Sequence, residues 1–406
     1  MKIAFFSDCF LDLTGGIVTS ITAQKKELES RGHTVYVFSS SYPKSEEQIA
    51  ELKKENIFPV KSCHIFGRGL TPIARKPKII EKQILKEYPE IKSFDCFYVH
   101  YEAGCSIAGL RLGKKLDIKT IQVMHGREDI GEQNLVPMGF KTIVATLLNQ
   151  FHSWYLPHPI KVKRDNYLAN TIAAAKMWTL MVNHANFADL VFTPSEHFKE
   201  KLLKYGVKKP IKVLPNGVAD ELFRPDLTPK VLLPGETLRI IWHSRVSGEK
   251  RIMPFLKALE YIKGKYKLDV YGDGNDLKKA IKYVKKHRLN VKFHGAAPFK
   301  AIYPEIIKSH LDVLNSYNFD TFGMTLIEAE SAGTPALFVD PDLKEIVPAA
   351  GSVMAKSPAP QNVATAINYL INNPDKIEQM STAMLKHRDE VRVSRVVDKL
   401  EKYITI

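Results

Sequence analysis

Two carboxylates flank a predicted helix start in the last third of the chain. Asp320 and Glu328 lie eight positions apart, and Gly323 between them lets a ligand approach the backbone closely. Gly333 and Pro335 are expected to end the helix. A helix start offers free N–H groups and a partial positive charge, which suit a diphosphate. The carboxylates can accept hydrogen bonds from hydroxyl groups of the same ligand, so the segment predicts a nucleotide-sugar site. The alternative is an ordinary amphipathic helix with two surface acids.

Two cations follow the first predicted strand of the C-terminal half. Arg245 and Lys250 lie just past the carboxyl end of strand 239–243, where open α/β sheets bind their ligands. Together they can neutralise a diphosphate, and each charge-assisted hydrogen bond contributes roughly 1.5–3 kcal/mol. Because a leaving diphosphate gains charge in the transition state, their effect should be catalytic as well as binding. The alternative is a pair of solvated surface cations.

Glycine-containing turns follow other predicted strands. Gly16 and the glycine before it form a compact turn at a helix start, where a ligand could press against the backbone. Gly272 and Asp273 belong to a Gly-Asp-Gly turn, and His294 ends the next strand in a similar way. The first turn is not G-x-G-x-x-G, and no acidic residue follows at the spacing of a nicotinamide-dinucleotide site.

Buried strands alternate with helices in both halves of the chain. Short runs rich in Val, Ile and Phe, without polar alternation, are typical of parallel strands covered on both faces. Their alternation with helical segments predicts two doubly wound α/β domains, joined by a proline-rich connector over 216–234. The predicted strands are 3–7, 35–39, 94–100, 120–125, 190–193, 239–243, 268–271, 291–294, 313–316 and 335–339.

Length and cysteine usage exclude several classes of protein. A chain of 406 residues is too long for one typical core, and no run approaches the ~20 apolar residues that span a bilayer. The apolar run at the start is too short for a signal peptide. None of the four cysteines is spaced as C-x2-C, so zinc and disulfide frameworks are not expected. Free thiols suit a reducing cytoplasm.

The net charge of +15 favours an anionic partner. Lys and Arg are scattered and no nucleic-acid-binding module is present, so we expect no nucleic-acid partner. Within 138–167, aromatic residues are interleaved with cations, as at a membrane interface. An N-domain helix with basic flanks is the alternative. The aromatic residues concerned are Phe140, Phe151, Trp154 and Tyr155.

The acidic segment resembles the E-x7-E signature of retaining glycosyltransferases of family 4, although Asp320 stands where that family has Glu. Arg245 and Lys250 match the "GR…EK" pattern of that family, with Ser244 in place of its Gly. The resemblance implies the GT-B fold, an α/β architecture of two facing Rossmann-like domains with a C-terminal crossover helix. The domains implied are 1–215 for the acceptor, 216–390 for the nucleotide sugar, and 391–406 as the helix returning to the first domain.

The resemblance also assigns roles. Arg245 and Lys250 would hold the diphosphate, Glu328 the ribose hydroxyls and Asp320 the sugar hydroxyls, while His125 would orient the sugar from the acceptor domain. The expected catalytic residues are therefore His125, Asp320, Arg245 and Lys250. The expected donor-binding residues are Gly16, Arg245, Lys250, Gly272, Asp273, His294, Phe322, Gly323, Met324, Thr325 and Glu328.

The donor implied is UDP-glucose or UDP-galactose, with no further cofactor. The D-x-D pattern at Asp340 and Asp342 is expected to form a turn, not a metal site. The chain looks most like bacterial diacylglycerol glucosyltransferases, which implies a membrane-lipid acceptor and a cytoplasmic protein peripheral to the inner face of the plasma membrane. The alternatives are a soluble or polymeric acceptor, such as a teichoic acid, a polysaccharide or a protein, and a non-catalytic GT-B partner subunit.

Overall fold

The chain divides into two compact units. One comprises Met1–Pro215 with Val397–Ile406, and the other comprises Asn216–Val396. The computed structural model describes residues 1–8, 16–41, 44–60, 62–63, 73–74, 76–127, 129 and 138–404; residues 63, 73, 74 and 138 are described by their backbone alone.

The first unit is built on a seven-stranded parallel sheet with the order β3-β2-β1-β6-β7-β8-β9. A separate antiparallel pair, β4 and β5, has two residues in each strand. The strands are β1 Lys2–Ser7, β2 Thr34–Ser40, β3 Ile57–Val60, β4 Ser62–Cys63, β5 Ile73–Ala74, β6 Cys96–His100, β7 Lys119–Val123, β8 Leu190–Thr193 and β9 Ile211–Val213.

Helices cover this sheet, which explains why its central strands carry apolar side chains on both faces. Every residue of β6 and β8 is buried. The helices are α1 Gly16–Ser30, α2 Glu46–Lys54, α3 Pro77–Glu87, α4 Gly104–Leu116, α5 Lys141–Ser153, α6 Ile172–Phe187 and α7 Glu196–Tyr205.

The second unit is a six-stranded parallel sheet with the order β12-β11-β10-β13-β14-β15. Its strands are β10 Leu238–His243, β11 Tyr266–Tyr271, β12 Val291–Gly295, β13 Leu311–Leu314, β14 Ala336–Phe338 and β15 Ser352–Met354. Its helices are α8 Ile252–Leu259, α9 Leu277–His287, α10 Phe299–Lys308, α11 Met324–Ser331, α12 Pro360–Asn372 and α13 Asp375–His387.

The strand order reverses once in each sheet. In the first unit β1 pairs with both β2 and β6, and in the second β10 pairs with both β11 and β13. Successive connections leave opposite faces at such a point, so a crevice opens beyond the carboxyl ends of the two strands. Any ligand site of either unit is expected at this crevice.

The C-terminal helix α14, Val393–Ile404, returns to the first unit, as the sequence predicts. Glu401 accepts hydrogen bonds from Arg31, at 2.8 Å, and lies 2.8 Å from His33 Nε2. Lys119 Nζ donates to the Tyr403 carbonyl at 2.7 Å, and the Tyr403 ring meets Phe192 edge-on. These contacts make the last turns of the chain part of the first unit's structure.

The structure corrects several predicted strands. Strands β3, β9 and β15 were not predicted; they lie at the edges of their sheets, are only partly buried, and contain Pro59, Lys212 and Ser352, which interrupt the apolar pattern. Strand β13 begins at Leu311 and ends at Leu314, so Ser316 lies in the following loop and not in the strand. No described helix has both the length and the apolar character needed to cross a bilayer.

Candidate functional site

Four of the predicted site residues of the second unit gather where its strand order reverses. Strand β10 ends at His243, and its loop carries Arg245 and Lys250. The loop after β13 carries Asp320, and α11 presents Glu328. Since β10 and β13 are hydrogen-bonded neighbours, the loops that follow them meet at one edge of the sheet.

Lys250 and Asp320 are paired with each other. Lys250 Nζ donates to Asp320 Oδ1 at 2.6 Å, and the Ser316 hydroxyl donates to Asp320 Oδ2. Both charged side chains are largely buried, with 13% and 12% exposed. The sequence assigned these two residues to different parts of a ligand, whereas the structure places them in one ion pair.

Arg245 is more accessible than Lys250. Its side chain is 61% exposed and lies 3.2 Å from Glu249 Oε1. The Arg245 guanidinium and the Lys250 ammonium both lie within about 6 Å of the Phe319 ring, at 6.0 and 5.3 Å from its centroid. The two cations therefore flank one aromatic ring, where an anionic ligand could meet both.

Glu328 is buried beside His243, a residue that no sequence motif indicated. Its Oε2 lies 3.3 Å from His243 Nδ1, and His243 Nε2 lies 2.5 Å from Asp312 Oδ2. Burial raises the pKa of Glu328 to about 7. Burial also disfavours charged His243, but Asp312 and Glu328 together raise the pKa of that imidazole above its ordinary value.

The start of α11 offers both a backbone and a side-chain group to a ligand. Gly323 precedes the helix with φ +73°, in the left-handed region, and a Cβ there would lie 2.8 Å from Leu314 Cδ2. The Thr325 hydroxyl is buried and has no hydrogen-bond partner among the described residues. Met324 is half-buried, while the Phe322 side chain belongs to the apolar core. Residue 322 could therefore contact a ligand only through its backbone.

The glycine turn after β11 packs against the loop that carries Arg245. Gly272 has φ +148°, and a Cβ there would lie 2.1 Å from the Ser244 carbonyl oxygen. Val246 N donates to the Asp273 carbonyl at 3.0 Å. The exposed Asp273 carboxylate accepts from Gly274 N at 2.7 Å. The turn thus supports the cationic loop through its backbone.

His294 contacts neighbouring residues of the sheet. Its ring stacks on Tyr271 with centroids 4.3 Å apart, and its Nε2 lies 2.8 Å from Asp269 Oδ1. Asp269 also pairs with Lys267 at 2.8 Å. The structure therefore places His294 among residues of β11 and not with the cluster of Lys250, Asp320 and Glu328.

In the first unit, His125 follows β7 and pairs with another histidine. His125 Nε2 lies 2.8 Å from His100 Nδ1, and the two rings stack with centroids 5.1 Å apart. Burial lowers the pKa of His125 to about 4 and that of His100 well below its ordinary value. One neutral imidazole can donate to the other, so the pair is uncharged near pH 7.

The beginning of α4 is capped by the carboxylate of Asp8, the residue that follows β1. Asp8 accepts hydrogen bonds from the backbone N–H groups of Cys105, at 2.7 Å, and Ser106, at 3.1 Å, and from the Ser106 hydroxyl at 2.6 Å. Burial nevertheless raises the pKa of Asp8. Gly16 begins α1 and is exposed, and the glycine before it lies outside the described residues.

Three further histidines of the first unit are linked by hydrogen bonds in a row that ends at Gln122, on the same strand, β7, that precedes His125. His158 bonds to His152 at 2.5 Å, His152 to His184 at 2.8 Å, and His184 Nε2 to Gln122 Oε1 at 3.0 Å. Gln122 Nε2 donates to the carbonyls of Tyr101 and Val123, so its oxygen must accept from His184. All three imidazoles therefore carry their proton on Nε2. No spacing rule in the sequence would have found this network.

The D-x-D pattern forms a capped turn. Asp340 Oδ1 accepts from Asp342 N at 3.2 Å, and Asp340 Oδ2 accepts from Asn318 N at 2.5 Å. A short 3-10 helix, Pro341–Glu345, follows. Within the described ranges, no group of His, Cys, Asp and Glu side chains has the geometry of a metal site.

Comparison with known proteins gives matches over almost the whole chain. The model of Glycosyltransferase Family 4 matches residues 14–222, and that of Glycosyl transferases group 1 matches residues 223–387. Alpha-monoglucosyldiacylglycerol synthase of Streptococcus pneumoniae is 26% identical over 358 residues, which cover 83% of this chain and 70% of that protein. The synthase of the same name from Acholeplasma laidlawii is 22% identical over 355 residues, covering 83% and 80%.

The fold of this chain is shared by a protein whose structure was solved with a bound nucleotide. The crystal structure of Anabaena Alr3699/HepE in complex with UDP aligns with a TM-score of 0.70 at 16% identity and covers 100% of both chains. With its two parallel-sheet units and its returning C-terminal helix, this chain has the GT-B fold predicted from the sequence.

Proposed function

Because the chain belongs to glycosyltransferase family 4, we propose that it is a retaining hexosyltransferase that moves glucose or galactose from a UDP-sugar to a membrane lipid such as diacylglycerol. The observation that carries this proposal is the cluster of Arg245, Lys250, Asp320 and Glu328 at the point where strand order reverses in the second unit. Cations and acids side by side suit a ligand that has both phosphates and hydroxyl groups.

In the proposed complex, the diphosphate binds at Arg245, Lys250 and the start of α11. The Thr325 hydroxyl has no hydrogen-bond partner among the described residues, so it can donate to a ligand at the start of that helix. UDP complexes of the Anabaena protein, which shares the fold, support the choice of nucleotide. Glu328 would accept hydrogen bonds from the ribose and Asp320 from the sugar. A position for His125 beside the sugar stays a prediction.

The proposed mechanism needs no protein nucleophile. As the bond from the sugar to the phosphate breaks, negative charge grows on the leaving UDP, where Lys250 and Arg245 stabilise it. The acceptor hydroxyl attacks on the same face and gives its proton to the leaving phosphate, which retains the configuration at the anomeric carbon. The residues of the site bind, orient and neutralise charge.

A lipid acceptor is supported by one face of α5 and its flanks. Phe140, Ile143, Leu147 and Trp154 are each more than half exposed, at 60%, 54%, 64% and 67%. Their spacing of three, four and seven residues places them on one side of a helix. Such a stripe of large apolar side chains suits insertion into the interface of a bilayer. Phe151 and Tyr155, also selected from the sequence, pack partly against the core instead.

Basic residues accompany this apolar stripe. Lys141 begins α5, and Lys161, Lys163 and Arg164 follow it along the chain. Each cation held near anionic lipid contributes about 1 kcal/mol, so a few of them together with the apolar stripe suffice for reversible attachment. The names of the two bacterial relatives, which are diacylglycerol glycolipid synthases, support the same acceptor class.

The test is sugar transfer in vesicles that contain diacylglycerol. UDP-glucose and UDP-galactose are offered in turn, with the anionic lipid fraction varied, and both the glycolipid product and the released UDP are measured. A glycolipid that increases with the anionic fraction is expected. UDP release without glycolipid would point to a soluble or polymeric acceptor, and no release from either donor would overturn the transferase proposal.

A matched pair of variants tests the membrane surface. Trp154→Ser removes an exposed ring from the α5 face, and Tyr369→Ser removes a 48% exposed ring from α12 in the second unit. Trp154→Ser should reduce vesicle co-sedimentation severalfold while UDP binding stays unchanged, and Tyr369→Ser should change neither. Equal sedimentation of both variants would exclude the α5 face as the attachment site.

A further inference from the structure

The buried residues Asp312, His243 and Glu328 form a line of alternating charge beneath the donor cluster. Asp312 on β13 is completely buried, and its Oδ1 has no hydrogen-bond partner among the described residues. Its Oδ2 lies 2.5 Å from His243 Nε2, and His243 Nδ1 lies 3.3 Å from Glu328 Oε2. The side chains of His243 and Glu328 are 3% and 10% exposed.

The hydrogen-bonding chemistry of imidazole constrains the charge of His243. A neutral imidazole donates from only one nitrogen, whereas carboxylate oxygens lie at both nitrogens of this ring. If both carboxylates are ionised, both nitrogens must carry a proton, and the ring is then a cation. A cation between two buried carboxylates offsets a repulsion that would otherwise be strong in such a dry environment.

We propose that His243 is a positioning residue for Glu328, holding its carboxylate ionised and in one orientation so that it can bind the two vicinal hydroxyls of a nucleotide ribose. This inference rests on the proposed function, in which Glu328 contacts the ribose. The partner recognised is the cis-diol of the nucleotide, because an ionised carboxylate accepts two hydrogen bonds and a protonated one accepts them poorly.

The charges around Glu328 support this role. Burial raises the pKa of Glu328 to about 7; His243 and Lys250 act against that rise, and Asp312 adds to it. His243 comes from β10, Lys250 from the loop that follows it, and Asp312 from β13. Removing the charge of His243 should therefore raise the pKa of Glu328 further, while removing that of Asp312 should lower it.

The experiment measures calorimetric binding of UDP and of 2′,3′-dideoxy-UDP between pH 6 and pH 9. The variants are Glu328→Gln, His243→Gln, Asp312→Asn and the double variant His243→Gln/Asp312→Asn. The wild-type protein should prefer UDP by about 10- to 100-fold, as expected for a hydrogen bond to a charged group. Glu328→Gln should remove most of that preference.

His243→Gln should bind UDP about tenfold more weakly at pH 7, bind dideoxy-UDP unchanged, and recover toward the wild type at pH 9. The double variant carries no charge at either position, so it should recover UDP affinity at pH 7. In the wild type, UDP affinity should fall with decreasing pH as Glu328 becomes protonated. In Asp312→Asn alone, this decrease should occur at lower pH. Circular dichroism and thermal unfolding check that each variant is folded, and the Asp312→Asn profile still tests the idea if His243→Gln is unstable.

The outcomes separate the two proposals. A wild-type protein that does not bind UDP, or that does not distinguish UDP from dideoxy-UDP, contradicts the proposed donor site itself. If the wild type distinguishes them and Glu328→Gln does not, but His243→Gln behaves as the wild type at every pH, the role of His243 is refuted. An equal, pH-independent loss for both nucleotides in His243→Gln would assign His243 a merely structural role and also refute it.

Discussion

Lys250 Nζ lies 2.6 Å from Asp320 Oδ1, although seventy positions separate the two residues in the chain. The cation proposed for the diphosphate is thus already paired with the acid proposed for the sugar. Both side chains are mostly buried, so each charge is partly offset by the other before any ligand arrives. This arrangement ties donor affinity to the state of the ion pair.

The pair leads to a prediction that separates binding from turnover. Asp320→Asn leaves Lys250 without its counter-ion, so UDP should bind equally or more tightly, while transfer should fall by about 100-fold because a charged contact to the sugar is lost. Calorimetry with UDP and the turnover number measure the two effects. Asp375→Asn is the control, since this exposed acid of the second unit accepts a hydrogen bond from Gln379 in α13 and is not among the expected site residues. A parallel loss of UDP affinity and turnover in Asp320→Asn would contradict this account.

Replacing Thr325 should make the ligand-free protein more stable and its binding of UDP weaker. Its buried hydroxyl has no partner among the described residues, and an unpaired buried hydroxyl costs about 1–3 kcal/mol. Thr325→Val keeps the shape of the side chain, so the ligand-free protein should become more stable while UDP binds about tenfold more weakly. Thermal unfolding with and without UDP measures both. If the valine variant binds UDP as the wild type does, the hydroxyl is no phosphate ligand.

Two glycines with positive φ offer a matched test of the loop packing around Arg245. Gly272→Ala would place Cβ 2.1 Å from the Ser244 carbonyl oxygen, whereas nothing lies within 4 Å of a Cβ at Gly295, where φ is +76°. Gly295→Ala should cost only the backbone strain of about 1–2 kcal/mol. Gly272→Ala should cost more and should also weaken UDP binding, because Ser244 precedes Arg245. Urea unfolding measures the stability of the two variants, and titration with UDP measures their affinity. If Gly272→Ala and Gly295→Ala change both quantities equally, the close contact of Gly272 with Ser244 is not important.

The first unit should lose stability as the pH falls below about 6.5. Burial lowers the pKa of His125 to about 4 and that of His184 to about 3. It also lowers the pKa of His100 and of His152 well below the ordinary value. Each imidazole stays neutral in the folded state while the unfolded chain takes up a proton, so each removes about 1.4 kcal/mol per pH unit until its own folded pKa is reached. Asp8, whose pKa burial raises, acts in the opposite direction.

The second unit provides the internal comparison for that measurement. Burial raises the pKa of Glu328 and of Glu330 to about 7, so proton uptake by these two acids favours folding as the pH falls from 7 and offsets the opposite effect of His310, whose pKa burial lowers to about 4. Hydrogen exchange followed by mass spectrometry at pH 7.5, 6.5 and 5.5, corrected for intrinsic rates, reports each unit separately. A loss of protection that is equal in both units would count against the histidine explanation.

The sequence by itself determined the architecture and the strand ends that the proposed site residues follow. Apolar runs separated by helical segments predict two parallel sheets, and Arg245 and Lys250 follow a strand end that the structure places within one residue of the prediction. Such features are local, because the apolar pattern and the turn residues that produce them lie next to each other in the chain. Strands β3, β9 and β15 escaped prediction because they are partly buried edge strands without a continuous apolar run, whereas the equally short β8, β13 and β14 are fully buried.

Only the tertiary structure decided which side chains are partners. His243 is separated by 69 positions from Asp312, and no spacing rule relates them, yet the pairing of β10 with β13 sets them side by side. The same pairing brings Lys250 to Asp320, whereas the pairing of β11 with β12 stacks His294 on Tyr271. Burial then changes the chemistry of these groups, since a carboxylate or an imidazole in a dry environment titrates according to its neighbours rather than its residue type.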